Sequence, residues 1–145
     1  MQTTTGKIKI LFLCVGNSCR SQMAEGWARK LKGDLIEPYS AGLKVMGLNP
    51  RAVRVMAEAG VDISAQRSKH VDDLKNFALD YVLSVCEAEC PVFPGRTKVL
   101  HVMFPDPVGL AKNAHTEQEA LSHYRRVRDQ IKAYIETLPE SLPAI

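Results

Sequence analysis

The sequence predicts an α/β fold: a single open, mainly parallel four-stranded sheet flanked by helices on both faces. Three observations carry it. Short runs of β-branched and apolar residues alternate with stretches in which apolar residues return every three or four positions, the signature of strands alternating with crossover helices. The first run, Lys7 to Cys14, is rich in Ile, Leu and Phe and breaks at Gly16-Asn17-Ser18, as a buried parallel strand running into a loop does. The length of 145 residues suits one core, so residues 1–145 are expected to form a single domain.

Each element has its own reason. Met23, Ala24, Trp27, Ala28 and Leu31 recur at helical spacing, which predicts a helix from Arg20 or Ser21 to Lys32 that stops near Gly33. Leu35 to Ala41 reads as a second strand. Asn49-Pro50 supplies a cap and a proline at the first helical position, opening a helix that ends at Gly60 with Val53, Met56 and Ala57 on its inner face. A shorter helix is expected over Val71 to Phe77, a third strand over Tyr81 to Val85 and a fourth over Lys98 to Met103. Thr116 and Glu119 have the spacing of a capping box, and Leu121, Tyr124, Val127, Ile131, Tyr134 and Leu138 form the buried stripe of the last helix. Pro139 to Ile145 reads as a frayed tail.

Composition narrows the function classes. The chain is 46% hydrophobic and 24% charged, with a net charge of +3, too small to argue for nucleic acid or an anionic membrane. The apolar stretch Ile8 to Val15 is far shorter than the roughly 20 residues of a membrane span, and no small-residue cleavage pattern follows it. A cytoplasmic monomer is the expectation. Four cysteines fall as two pairs, Cys14 with Cys19 and Cys86 with Cys90, and no histidine stands at a zinc-finger spacing from either. Neither a metal nor a cofactor is expected, and the thiols read as reduced groups used for chemistry.

An open parallel sheet binds ligands beyond the carboxyl ends of its strands, and there this sequence carries Cys14, then Cys86 with Cys90, then Asp106. The sharpest motif is Cys14-Val15-Gly16-Asn17-Ser18-Cys19-Arg20-Ser21. At a strand-to-helix turn, converging backbone N–H groups make a concave site for a tetrahedral anion, and Arg20 adds a planar, permanently charged fork. The same positive surroundings should lower the pKa of Cys14, to which Ser21 offers its hydroxyl. Gly16 and Asn17 suit a loop that needs unusual backbone angles. The glycine-lysine-serine or glycine-lysine-threonine ending of a nucleotide loop is absent, so no nucleotide is expected. Arg125, Arg126 and Arg128 lie opposite an apolar helix face and read as a solvated surface.

The run Phe12 to Gly26 resembles the low-molecular-weight phosphatase superfamily, and most of all its arsenate reductase branch. Tyr39-Ser40-Ala41-Gly42, Asn49-Pro50, Val61-Asp62-Ile63-Ser64, Asp106-Pro107 and Tyr124-Arg125-Arg126-Val127-Arg128 extend the likeness over nearly the whole chain. The resemblance implies that Cys14 attacks arsenic, that Cys86 attacks Cys14 and releases arsenite, and that Cys90 resolves the bridge, which thioredoxin then reduces. It implies that Asp106 is the general acid and base, and that phosphate and sulfate compete with arsenate. Two departures matter. Phosphatases of the family follow the aspartate-proline pair with aromatic residues, where this chain has Val108-Gly109. The family also commonly spaces its second and third cysteines further apart, which leaves a glutaredoxin or small-thiol route open. Four positions apart on a helical turn, β-carbons sit about 5–6 Å from one another, whereas a disulfide prefers about 3.5–4.5 Å. The Cys86–Cys90 segment must therefore change shape on oxidation.

Some reductases of this type hold potassium beside the loop. Asn17, Glu25 and Ser40 match three of its side chains, but Lys69 stands where the family has an aspartate, so either the ammonium fills the position or the site is missing. Two other readings remain: a phosphatase using Cys14, Arg20 and Asp106 alone, and a noncatalytic redox sensor that would not need Arg20.

Overall fold

The computed structural model describes residues 6–74, 76–86, 91, 93 and 95–144. Four strands, β1 (Ile8–Cys14), β2 (Ile36–Gly42), β3 (Tyr81–Ser84) and β4 (Lys98–His101), form one sheet in the order β2-β1-β3-β4. Every pair is parallel, with Leu13 opposite both Ala41 of β2 and Ser84 of β3. Among the described residues the α-helices are α1 (Arg20–Lys32), α2 (Pro50–Glu58), α3 (Pro107–Ala111) and α4 (Glu117–Ile135).

Alternation along β1 divides the core. Ile10, Phe12 and Cys14 face a large cluster with Met23 and Trp27 of α1, Met56 of α2 and Leu121, Tyr124 and Ile131 of α4. Leu11 and Leu13 point the other way, against Ala41, Val71, Leu74, Leu79 and Val82. That second face is covered by a 3-10 helix, Val71–Asp73, with its flanks. The expected longer helix there stops early because Leu74 leaves helical geometry and caps the turn.

Caps fix several boundaries. Asn49 accepts from the N–H groups of Arg51 and Ala52, with Pro50 at the first helical position. Thr116 accepts from Glu119 N–H, and Glu119 reaches back to the N–H of His115, one residue before the box predicts.

Some expectations are corrected. The buried face of α2 is Ala52, Val55 and Met56, whereas Ala57 is exposed, because α2 turns the Ala52 side toward α4. Leu31 lies beyond the buried part of α1 and is exposed. The stretch after Leu138 folds back: Leu142 packs on the main core and Tyr81 donates its hydroxyl to the carbonyl of Pro143. The short helix α3, with Asp106 as its cap, was not foreseen. Among the described residues, no helix is long and apolar enough to cross a membrane.

Candidate active site

The crossover from β1 to α1 builds the site. Backbone pairing continues past the end of β1, because Leu43, Lys44 and Met46 donate their N–H groups to the carbonyls of Cys14, Val15 and Gly16. This zipper leaves no space beside Gly42. A β-carbon there would stand 2.6 Å from Asn17 N and 2.8 Å from Val15 O, so only glycine fits. Asn17 takes a left-handed conformation, φ 48°, as its residue type allows.

Asn17 is fully buried and fixed on every side. Its Nδ2 donates to Ser21 Oγ at 2.9 Å, and its Oδ1 accepts from Gln22 Nε2 at 3.0 Å and from Lys69 N at 2.7 Å. Gln22 Nε2 also reaches the carbonyls of Asn17 and Arg67, while Gln66 Nε2 donates to Gln22 Oε1. Ser68 Oγ donates to the Gly16 carbonyl. The segment from Gln66 to Lys69 thus clamps the loop from behind.

A cavity of about 540 Å³ opens in front, lined by Cys14, Val15, Gly16, Ser18, Cys19 and Arg20, with Met46, Asn49, Asp106 and Val108 around it. Arg20 is buried, and its Nη1 donates to the Phe104 carbonyl at 3.0 Å, which holds the guanidinium at the cavity wall. Asp106 is exposed at the mouth, and its Oδ1 caps α3 by accepting from Val108 N at 3.0 Å. Of the residues expected to line the loop, Asn17 and Ser21 lie behind it, holding its shape. Ser21 Oγ serves the Asn17 amide.

Among the described residues, Cys14, Cys19 and Cys86 are buried cysteines in the thiol form. β3 lies beside β1, and Val85 N donates to the Leu13 carbonyl, so Cys86 arrives next to Cys14 and the two thiols hydrogen-bond. This reverses the expected direction of the Cys14 pKa. The hydrogen bond to Cys86 and burial push the Cys14 thiol up, while the Arg20 guanidinium and the Val15 N–H pull it down. A charge on Cys86 opposes one on Cys14, which adds to the upward push. Burial pushes Cys19 up to about 12, against the pull of Arg20. Cys90 lies outside the described residues, with Glu87, Ala88 and Glu89.

Behind the loop, the buried Glu25 carboxylate accepts from Ser40 Oγ through Oε1 and from Arg29 Nη2, at 2.7 Å, through Oε2. Lys69 Nζ stands 3.9 Å from Glu25 Oε1 and donates to the Arg67 carbonyl at 2.8 Å. Burial lowers the Lys69 pKa and Glu25 opposes that shift. A potassium ion does not fit these residues. Asn17 Oδ1 already accepts two N–H groups, and an ammonium occupies the carboxylate's cationic side. Two like charges 4 Å apart repel by about 4 kcal/mol at an effective dielectric of 20.

Sequence reasoning passed over Gln22, Gly42, Met46, Asn49 and the Phe104 carbonyl as parts of this site. Gln22 had a signal, since an amide beside the inward-facing Met23 must find buried partners. The Phe104 carbonyl had none, because a backbone acceptor leaves no trace in residue type.

Residues 9–144 match the family model described as low molecular weight phosphotyrosine protein phosphatase. The chain is 46% identical to an arsenate reductase of Bacillus licheniformis, over 93% of this chain and 97% of that one. It is 48% identical to an arsenate reductase of Bacillus subtilis, over 84% and 88%. A solved arsenate reductase in a phosphate-binding state superposes with a TM-score of 0.76 at 34% identity, covering 90% of this chain and 95% of that one. A low molecular weight protein tyrosine phosphatase from T. tengcongensis gives 0.68 at 28% identity, covering 94% and 100%.

Proposed function

The chain belongs to the low molecular weight phosphotyrosine protein phosphatase family, and from that premise we propose that it reduces arsenate to arsenite through a thiol relay. The observation that carries this reading is the Cys86 thiol in contact with Cys14. A hydrolase working through Cys14 has no use for a second thiol there; a reductase needs two electrons, which two thiols supply on forming one disulfide.

In the first step the arsenate sits against the loop amides and the Arg20 fork. Cys14 Sγ bonds to arsenic and one arsenic–oxygen bond breaks. The departing oxygen leaves as water, taking the thiol proton and a second proton supplied at the cavity mouth by Asp106. Cys86 then attacks Cys14 Sγ. The new S–S bond replaces the S–As bond, the bonding pair stays on arsenic, the Cys86 proton passes to an arsenic-bound oxygen, and arsenic(V) leaves as arsenite. Cys90 attacks Cys86, restores the Cys14 thiol and leaves a Cys86–Cys90 bridge, which the dithiol of thioredoxin reduces. The enzyme acts as a cytoplasmic monomer of one domain, in a compartment that keeps such thiols reduced.

The apolar side chains of Met46 and Val108 at a cavity larger than an inorganic oxyanion favour a second, lesser activity on small phosphate esters. One experiment separates the two: arsenate-dependent NADPH oxidation with thioredoxin and its reductase, beside an aryl phosphate assay. Aryl phosphate turnover without arsenate reduction overturns the reductase reading. Cys90→Ser tests the relay, since it should release one equivalent of arsenite and then stall as a Cys14–Cys86 disulfide seen by peptide mapping. Repeated turnover with thioredoxin alone removes Cys90 from the relay; a need for glutathione and glutaredoxin removes thioredoxin.

A further inference from the structure

We propose that Lys69 is a resident cation, a positioning residue whose ammonium does for the anion loop what a bound alkali metal ion would do, and that the protein is indifferent to potassium. Three contacts of this one residue carry the argument. Its N–H donates to Asn17 Oδ1 at 2.7 Å, its carbonyl accepts from Gly42 N at 2.8 Å, and its Nζ lies 3.9 Å from Glu25 Oε1. Lys69 therefore ties the loop, the end of β2 and α1 together at one point.

The charge belongs to the same design. Glu25 is only 6% exposed, and a carboxylate so buried requires opposite charge. Arg29 meets Oε2 from four residues along the same helix, with its side chain 52% exposed, and its Nη1 donates to Gln66 Oε1 at 3.1 Å, at the outer end of the clamp. Oε1 faces inward to Ser40 and Lys69. Among the described residues, Lys69 is the one that touches both that inward charge and Asn17 directly. Lysine suits the place because its ammonium is a compact point charge with three donors on a flexible stem. A tethered cation is also present at unit occupancy whatever the salt, whereas a metal ion there would be set by its concentration.

The inference rests on reading the loop as an anion cradle, so the test reads the cradle and the cation separately. Phosphate binding is measured by calorimetry, and thermal unfolding is followed without phosphate, each in potassium chloride and in choline chloride at equal ionic strength. The wild-type protein should give the same phosphate Kd and the same Tm in both salts. Lys69→Met should weaken phosphate about tenfold and raise the arsenate KM similarly, with kcat changed less than threefold. Lys69→Arg should recover most of the affinity. Lys69→Asp, which puts an oxygen donor in place of the cation, should gain potassium dependence: a Tm several degrees higher in potassium than in choline, and tighter phosphate only in potassium.

A wild-type Tm that rises with potassium over choline overturns the proposal, as does a Lys69→Met protein with wild-type phosphate affinity. If wild type binds no phosphate, the cradle reading falls. The unfolding comparison then still decides the cation, and it needs no variant to fold.

Discussion

Cys14 and Cys86 hydrogen-bond thiol to thiol where β1 and β3 end side by side. Cys86 therefore bears on the ionisation of Cys14. Because the contact with Cys86 is the largest influence raising the Cys14 pKa, Cys86→Ala should lower it. Iodoacetamide alkylation of Cys14, mapped by mass spectrometry across pH, should begin at lower pH in the variant, because the contact favours the protonated thiol. An unchanged profile would show that burial alone holds the proton.

Arg20 is held by the Phe104 carbonyl with its fork at the cavity wall. Arg20→Lys keeps the charge but loses the paired donors, and kcat/KM for arsenate should fall about 10²–10³-fold, the cost of losing one oriented transition-state donor. Phosphate or sulfate at 100 times its Kd should stabilise the wild-type protein by about 2.7 kcal/mol, a Tm increase of roughly 5–10 °C. The variant should show little of it. Equal shifts in both proteins would place the anion elsewhere.

Asp106 caps α3 and is the proposed general acid, and one substitution separates the two. Asparagine caps helices as well as aspartate does, so Asp106→Asn should keep the hydrogen bond to Val108 N and leave Tm within a degree or two. Loss of the acid should lower turnover about 10²–10⁴-fold. A stable variant with full activity removes Asp106 from the chemistry.

Gly42→Ala places a methyl group 2.6 Å from Asn17 N. Backbone must move, at a cost of about 1–3 kcal/mol for an overpacked site. Phosphate affinity should drop more than stability does, because the displaced strand is the one that shapes the loop. Urea unfolding and calorimetry together measure the difference.

Cys19 supplies an alkaline limit. Its pKa is pushed up to about 12 in the fold, so the protonated thiol favours the native state. That contribution is complete below the unfolded thiol's ordinary value, and it is lost as pH rises from there towards the folded value. Stability should decline above about pH 9, and Cys19→Ala should decline less steeply, so that any gap between the two at pH 7 narrows by pH 11. Parallel unfolding curves over that range would assign the decline to other groups.

Much of this arrangement is legible in the chain itself, and the reasons differ from element to element. Strand β1 announces itself because Ile10 to Leu13 are buried on both faces, which demands a continuous apolar run. Asn49-Pro50 and Thr116 speak through caps, whose chemistry is local. Helix α3 stayed hidden since five residues carry too little periodicity to register. The Cys14 thiol illustrates the harder limit. Its loop and Arg20 point to a lowered pKa, yet the opposite direction comes from Cys86, a neighbour made only by strand order. Lys69 reads as a mismatch in sequence and becomes intelligible only with Glu25 beside it.

The parallel register of β1 and β3 also has a kinetic meaning. For the proposed relay it would turn an encounter between two thiols into a unimolecular event, and well-oriented pairs of this kind reach effective molarities of about 10⁵–10⁸ M. Millimolar free thiol outside the protein competes poorly with a sulfur already in contact with Cys14. The advantage belongs to the folded sheet, since Cys14 ends β1, Cys86 follows β3, and α1, β2 and α2 lie between those strands in the chain. Loosening the pairing of Leu13 with Ser84 would therefore slow the exchange of sulfur partners without altering either thiol.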